Sequence, residues 1–123
     1  MNGVSILSDT NPLVYLLDGN EAAFEYLDGK QIWISVISEL ELFGKKGLRK
    51  TEIAEIELLL ENCIIVYINP EIKRITKKLM QGIHIKLPDA IVSATSIYLD
   101  LPLLSSDGGF KKVKELNFIH LEF

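Results

Sequence analysis

The chain has 123 residues, enough for one compact domain and too few for two. Hydrophobic residues make up 48% of it, which supplies a core and excludes a disordered chain. With 17 acidic against 13 basic residues the net charge is −4, so any contact with nucleic acid has to rely on a local basic patch or on bridging cations.

No stretch approaches the ~20 apolar residues that would span a bilayer. The first residues, MNGVSILSDT, lack the basic start and long apolar run of a secretion signal, so a cytoplasmic protein is expected. Cys63 is the single cysteine; it cannot form an intrachain disulfide and reads as a packed thiol.

In chain order, VSIL at 4–7 is the short apolar run of a buried parallel strand, and it stops at Ser8-Asp9-Thr10-Asn11-Pro12. Thr10 or Asn11 is expected to cap a helix whose first turn holds Pro12, where a missing N–H costs nothing. LVYLLDGNEAAFEYLDG continues as helical material broken near Gly19. IWISVI at 32–37 predicts a second strand, followed by a short helix with Ser38 as N-cap, Glu41 as its capping-box partner, and Gly44 or Gly47 at its end. Residues 51–62 place Ile53, Ile56, Leu59 and Leu60 at helical spacing, with Thr51 able to cap, and lead into a strand at 64–68.

Asn69-Pro70 opens another helix, with Ile72, Ile75 and Leu79 on one stripe and Gly82 as its stop. Leu87-Pro88-Asp89 begins the next, whose small residues Ala90, Ser93, Ala94 and Ser96 allow close approach to a neighbouring backbone. PLLSS at 102–106 and NFIHLEF at the C-terminus supply the last two strands. Strands alternating with helices define the α/β class, a mostly parallel sheet with helices on both faces. Ligands of such sheets bind beyond the carboxyl ends of strands, where the strand order reverses.

Four acids stand where that rule points. Asp9 ends the first strand, Glu41 lies just after the second, Asp89 opens a helix and Asp107 follows the fourth strand. Singly, each has an ordinary role: a turn residue, a capping-box partner, a charge favoured at a helix N-terminus, and a turn former in Asp-Gly-Gly. Brought together, they would repel one another strongly unless protonated or bridged by a cation. All-oxygen ligands suit Mg²⁺ or Mn²⁺, whereas zinc would want histidines or cysteines in numbers this chain lacks. An ion so held activates water and neutralises charge on a leaving oxygen, which makes hydrolysis of a phosphodiester the natural reaction.

The context of these acids resembles that of the PIN-domain nucleases, in particular the VapC-type toxins of bacterial toxin–antitoxin pairs. Ile6 to Leu13, with Asp9-Thr10-Asn11 at its centre, looks like the opening block of the family, and Ile34 to Gly44 like the second, in which a Ser or Thr precedes the acid by three residues. That spacing selects Glu41 over Glu39. Leu87 to Thr95 resembles the third block and Leu103 to Phe110 the fourth, with Ser105 in place of the usual Thr and Gly109 where many members keep another Asp. The resemblance covers nearly the whole chain. It implies one PIN-like domain over 1–123, a three-layer fold with a five-stranded mostly parallel sheet, and Mg²⁺- or Mn²⁺-dependent endoribonuclease activity. It also implies Asp9, Glu41, Asp89 and Asp107 as catalytic and metal-holding residues, with Thr10, Asn11 and Ser105 supporting them. The partners it implies are an RNA substrate, with transfer RNA as one candidate, an antitoxin protein and a second copy of the chain.

Basic residues fall in three groups: Lys45, Lys46, Arg49 and Lys50; Lys73, Arg74, Lys77 and Lys78; Lys111, Lys112 and Lys114. The first follows Glu41 and the third follows Asp107, so Lys45, Lys46, Arg49 and Lys111 are the expected contacts to RNA phosphates. The second could as easily face an acidic partner. His84 and His120 read as structural or surface groups, Trp33 as core or interface, and Tyr15 and Tyr26 as helix packing or a dimer contact. Two other readings stay open: a non-catalytic RNA- or protein-binding module of the same fold, and a metal-dependent phosphatase, disfavoured because Asp9-Thr10-Asn11 lacks the second Asp that many such hydrolases use.

Overall fold

Burial on both sides of the first strand sets the layering. In the computed structural model, which describes residues 4–123, strand β1 (Ser5–Ser8) sends Ile6 into one core and Leu7 into another. Ile6 packs with Leu13, Ile32, Ile34, Ile56 and Leu104; Leu7 packs with Val92, Leu103 and Phe110. A strand covered on both faces reads as a continuous apolar run, which is why VSIL shows no polar alternation.

The remaining elements follow in order: α1 (Thr10–Leu17), α2 (Glu21–Leu27), β2 (Gln31–Ser35), α3 (Val36–Leu42), α4 (Lys50–Glu61), β3 (Cys63–Val66), α5 (Pro70–Gly82), α6 (Leu87–Leu99), β4 (Leu103–Ser105), a 3-10 turn (Gly108–Lys112) and β5 (Phe118–His120). All neighbouring strands pair in parallel, in the order β3-β2-β1-β4-β5. The chain builds outward from β1 through β2 to β3, then crosses back to lay β4 and β5 on the other side. The reversal therefore lies between β1 and β4, which are registered Leu7 to Leu103 and Ser8 to Leu104.

Helix α6 is buried at every position from Ala90 to Ser96, because its small side chains let it lie under α5, where Ala94 meets Ile72 and Leu79. Asn69 caps α5 as expected, accepting the Ile72 N–H at 2.8 Å, and Pro70 occupies the first turn. Gly19, at φ +82, makes the predicted break between α1 and α2.

Several boundaries differ from expectation. Asp9, not Thr10 or Asn11, is the N-cap position of α1, and its carboxylate makes no cap bond. Strand β2 stops at Ser35, where its pairing with β3 ends at Ser35 to Val66, and the Ser35 hydroxyl accepts the Ile37 N–H at 3.2 Å to start α3. Ser38 is therefore inside the helix, and Glu41 stands near its C-terminal end, so the two form no capping box. Helix α4 begins before Thr51, because Glu52 reaches back to the Arg49 N–H at 3.0 Å. The third strand covers 63–66 and not 64–68; Tyr67 and Ile68 lie beyond its last β2 partner and are exposed.

Candidate active site

Two hydrogen-bonded braces span the crevice at the reversal of the strand order. In the first, the Ser105 hydroxyl at the end of β4 donates to Asp9 Oδ2 at 2.8 Å and accepts the Asp107 N–H at 3.0 Å. One fully buried hydroxyl thus fixes both an acid after β1 and the backbone of an acid after β4. Asn11 strengthens the joint by accepting the Ser106 N–H at 3.0 Å. In the second, the Thr10 hydroxyl donates to Glu41 Oε1, tying the start of α1 to the end of α3. Thr10, Asn11 and Ser105 therefore hold the acids in place.

Asp9, Glu41 and Asp89 line one open cleft of about 560 Å³ with Thr10, Asn11 and Tyr15. Asp107 is outside that lining, yet its charge reaches Asp89. The Asp89 carboxyl is held above the ordinary carboxylate range, first by burial, then by the charges of Asp107 and Glu41, against the offsetting pull of Lys86 and Lys112. Asp9 is pushed up to about 6, chiefly by burial; the bonds from Ser105 and the Thr10 backbone counter this, and the charges of Asp89 and Glu41 add to it. The four acids are electrostatically one group.

Asp107 also does the ordinary work of a turn, since its Oδ1 accepts the Gly109 N–H at 2.8 Å. A Cβ at position 109 would stand 3.1 Å from that oxygen, so the glycine lets the carboxylate fold back on the turn. His120 braces the same loop, its Nε2 lying 2.9 Å from the Ser106 carbonyl and its ring stacked on Phe118.

The donor set suits a hard divalent cation: oxygens only, gathered where burial and mutual repulsion keep protons on acids that a cation would displace. Among the described residues no three His, Cys, Asp or Glu side chains stand together as a preformed cage. Ions of the magnesium kind, which keep several waters, do not require one.

The basic residues are placed less simply. Lys45 and Arg49 both pair with Glu52, at 3.8 and 3.1 Å, while Lys46 is exposed. Lys111 is exposed in the 3-10 turn, but Lys112 beside it and Lys86 before α6 are the cations whose charge reaches Asp89. Lys86 belongs to no basic run, and nothing in its sequence neighbourhood marks it. Tyr15, read as helix packing, lines the cleft and stacks on Phe123 with ring centroids 4.3 Å apart. The Cys63 thiol is pushed up to about 11 by burial, in keeping with an inert packed cysteine.

Replacing Ser105 by Ala should lower stability by ~1.5–3 kcal/mol, because the bond lost is to a buried carboxylate and the Asp107 N–H loses its acceptor as well. Ser105→Thr should restore most of it in a urea titration at pH 7.

A parallel sheet with carboxylates converging at its topological switch point defines the class of α/β proteins that hold polar ligands beyond the strand ends. The PIN domain model matches residues 6–116, and the chain belongs to the PIN domain family. A chain of a toxin–antitoxin complex from Klebsiella pneumoniae is similar at 28% identity and a TM-score of 0.83, covering 96% of this chain and 99% of that one. A chain of VapBC2 from Rickettsia felis, crystallised on a DNA fragment from its promoter, shares the fold with a TM-score of 0.81 at 16% identity, over 97% of this chain and 100% of that one. A chain of VapBC-1 from nontypeable Haemophilus influenzae does so with 0.77 at 23%, over 95% and 98%. No curated protein sequence matches the chain. Among the described residues no helix is long and apolar enough to cross a membrane.

Proposed function

We propose that this protein is a divalent-metal-dependent endoribonuclease and the toxin member of a toxin–antitoxin pair. One observation carries the nuclease reading: the joining of Asp9, Glu41, Asp89 and Asp107 into one electrostatic group at the switch point. The partner reading is supported by the similarity to chains of toxin–antitoxin complexes over nearly the full length of both. The binding partners are an antitoxin, an RNA substrate such as transfer RNA, and a second copy of the chain.

Asp9, Glu41, Asp89 and Asp107 would hold Mg²⁺ or Mn²⁺. When bound, the ion supplies a more acidic water and a positive charge opposite the leaving oxygen. Asp9 is kept in position by Ser105, which leaves its Oδ1 without a side-chain donor. Glu41 is anchored at Oε1 by Thr10 and exposed to solvent, so Oε2 is free to orient the attacking water or take its proton. Lys86 and Lys112 lie where they attract the phosphate backbone to this acidic site. Lys45, Lys46, Arg49 and Lys111 extend that positive rim.

Incubation of purified protein with RNA and with a simple phosphomonoester tests the reading. RNA should be cut internally in Mg²⁺ or Mn²⁺, chelation should stop cleavage, and the phosphomonoester should stay intact. RNA left whole in both metals would sink the proposal, and a cut phosphomonoester would move the protein to the phosphatases.

A further inference from the structure

We propose that the substrate backbone is gripped in a second, basic cleft between the end of α5 and residues 112–115, an inference that rests on the ribonuclease reading. Lys78 from α5 and Lys112 and Lys114 from the other wall line a single open space of about 250 Å³ floored in part by Gly82 and Ile83. Glu115 is the one acid on its wall, so the cleft is locally cationic in a chain of net charge −4.

These lysines are available in a way the first basic group is not. None of the three makes an ion pair among the described residues, whereas Lys45, Arg49 and Arg74 are each matched to a glutamate. The two walls are held at a fixed spacing because Leu79 and Val113 are buried in one core cluster with Ile72 and Ala94. Like charges clustered on a rigid frame repel one another, and a strand of phosphates between them relieves that repulsion while releasing its own counterions. A Cβ at Gly82 would meet nothing within 4 Å, so the floor leaves room for a sugar–phosphate chain.

The cleft also leads to the acids. Lys112 lines it and is at the same time one of the two cations whose charge reaches Asp89. A single RNA strand lying across Lys78 and Lys114 is thereby delivered past Lys112 to the candidate site. An acidic polypeptide would find the same charges but has no reason to continue toward a carboxylate cluster.

Affinity for a single-stranded RNA of about 30 nucleotides, measured from about 50 to 200 mM salt in an Asp9→Asn background, tests the cleft without cleavage. Adding Lys78→Glu and Lys114→Glu should weaken binding tenfold or more at the lowest salt and flatten the log–log salt slope by about two, one per lost phosphate contact. Both positions are exposed, so the melting temperature should stay with the parent. Lys45→Glu with Lys46→Glu, matched in charge, should cost less and change the slope less. An unchanged RNA affinity and slope in the Lys78/Lys114 variant would overturn the cleft and assign it to an acidic protein partner, with the nuclease reading intact. A parent that binds no RNA even at low salt would overturn both.

Discussion

Asp9→Asn should abolish RNA cleavage and, in the absence of metal at pH 7.5, make the protein more stable. Loss of one preorganised charged group from a catalytic centre commonly costs roughly a hundred- to a thousandfold in rate. Asn keeps the size of the side chain and can still accept the Ser105 hydroxyl, so the brace to β4 survives. Stability should move the other way because the wild-type carboxyl is charged at pH 7.5 against an environment that raises its pKa from 3.8 to about 6. At ~1.4 kcal/mol per pH unit, relief of that penalty is on the order of 3 kcal/mol. In a chain of this length that is a rise of about 5 °C or more in Tm. A variant that melts below wild type in chelator would show that Asp9 is a structural cap and not a strained ligand.

Stability–activity opposition of this kind was partly legible before any coordinates. The alternation of apolar runs and capped helices located all five strands and the parallel class, because a buried strand has to read as a short, uninterrupted apolar run. Asn69-Pro70 and Gly19 were readable because local chemistry alone dictates them. Ser38 and Thr51 misled for the opposite reason: several hydroxyls near a helix start can cap it, and the choice fell to strand pairing at Ser35 and to the reach of Glu52.

Placement of Asp9, Glu41 and Asp89 at one cleft followed from the strand-end rule together with the family resemblance. The means of holding them there was not visible in the sequence. Ser105 reaches Asp9 across 96 positions and Thr10 reaches Glu41 across 31, and no local pattern encodes such pairs. Lys78 and Lys112 were assigned to different basic groups for the same reason, since their shared cleft exists only once α5 and the 3-10 turn pack together.

The metal-free protein should lose stability as pH rises from about 4 to about 6 and then level off, an inversion of ordinary acid denaturation. Folded Asp9 keeps its proton up to about 6, while the unfolded chain releases it near 3.8. Between those values the folded state binds more protons, so raising the pH favours unfolding. Asp89, also raised, acts with the same sign. Glu52 and Glu71 act in the opposite sense, their carboxyls lowered by contacts from Arg49 and Arg74, but both are too exposed to outweigh a buried acid. Adding Mn²⁺ at pH 7.5 should reverse the loss, since an ion that binds only the folded state at a hundredfold excess over its Kd contributes ~2.7 kcal/mol. The gain requires an ionised Asp9, so the Mn²⁺-induced rise in Tm should grow steeply as pH passes about 6 and shrink toward zero near pH 4, where protons and metal compete for the same oxygens. Asp9→Asn should show little Mn²⁺ shift at any pH. Equal Mn²⁺ shifts in variant and wild type would place the ion elsewhere and remove Asp9 from its ligands.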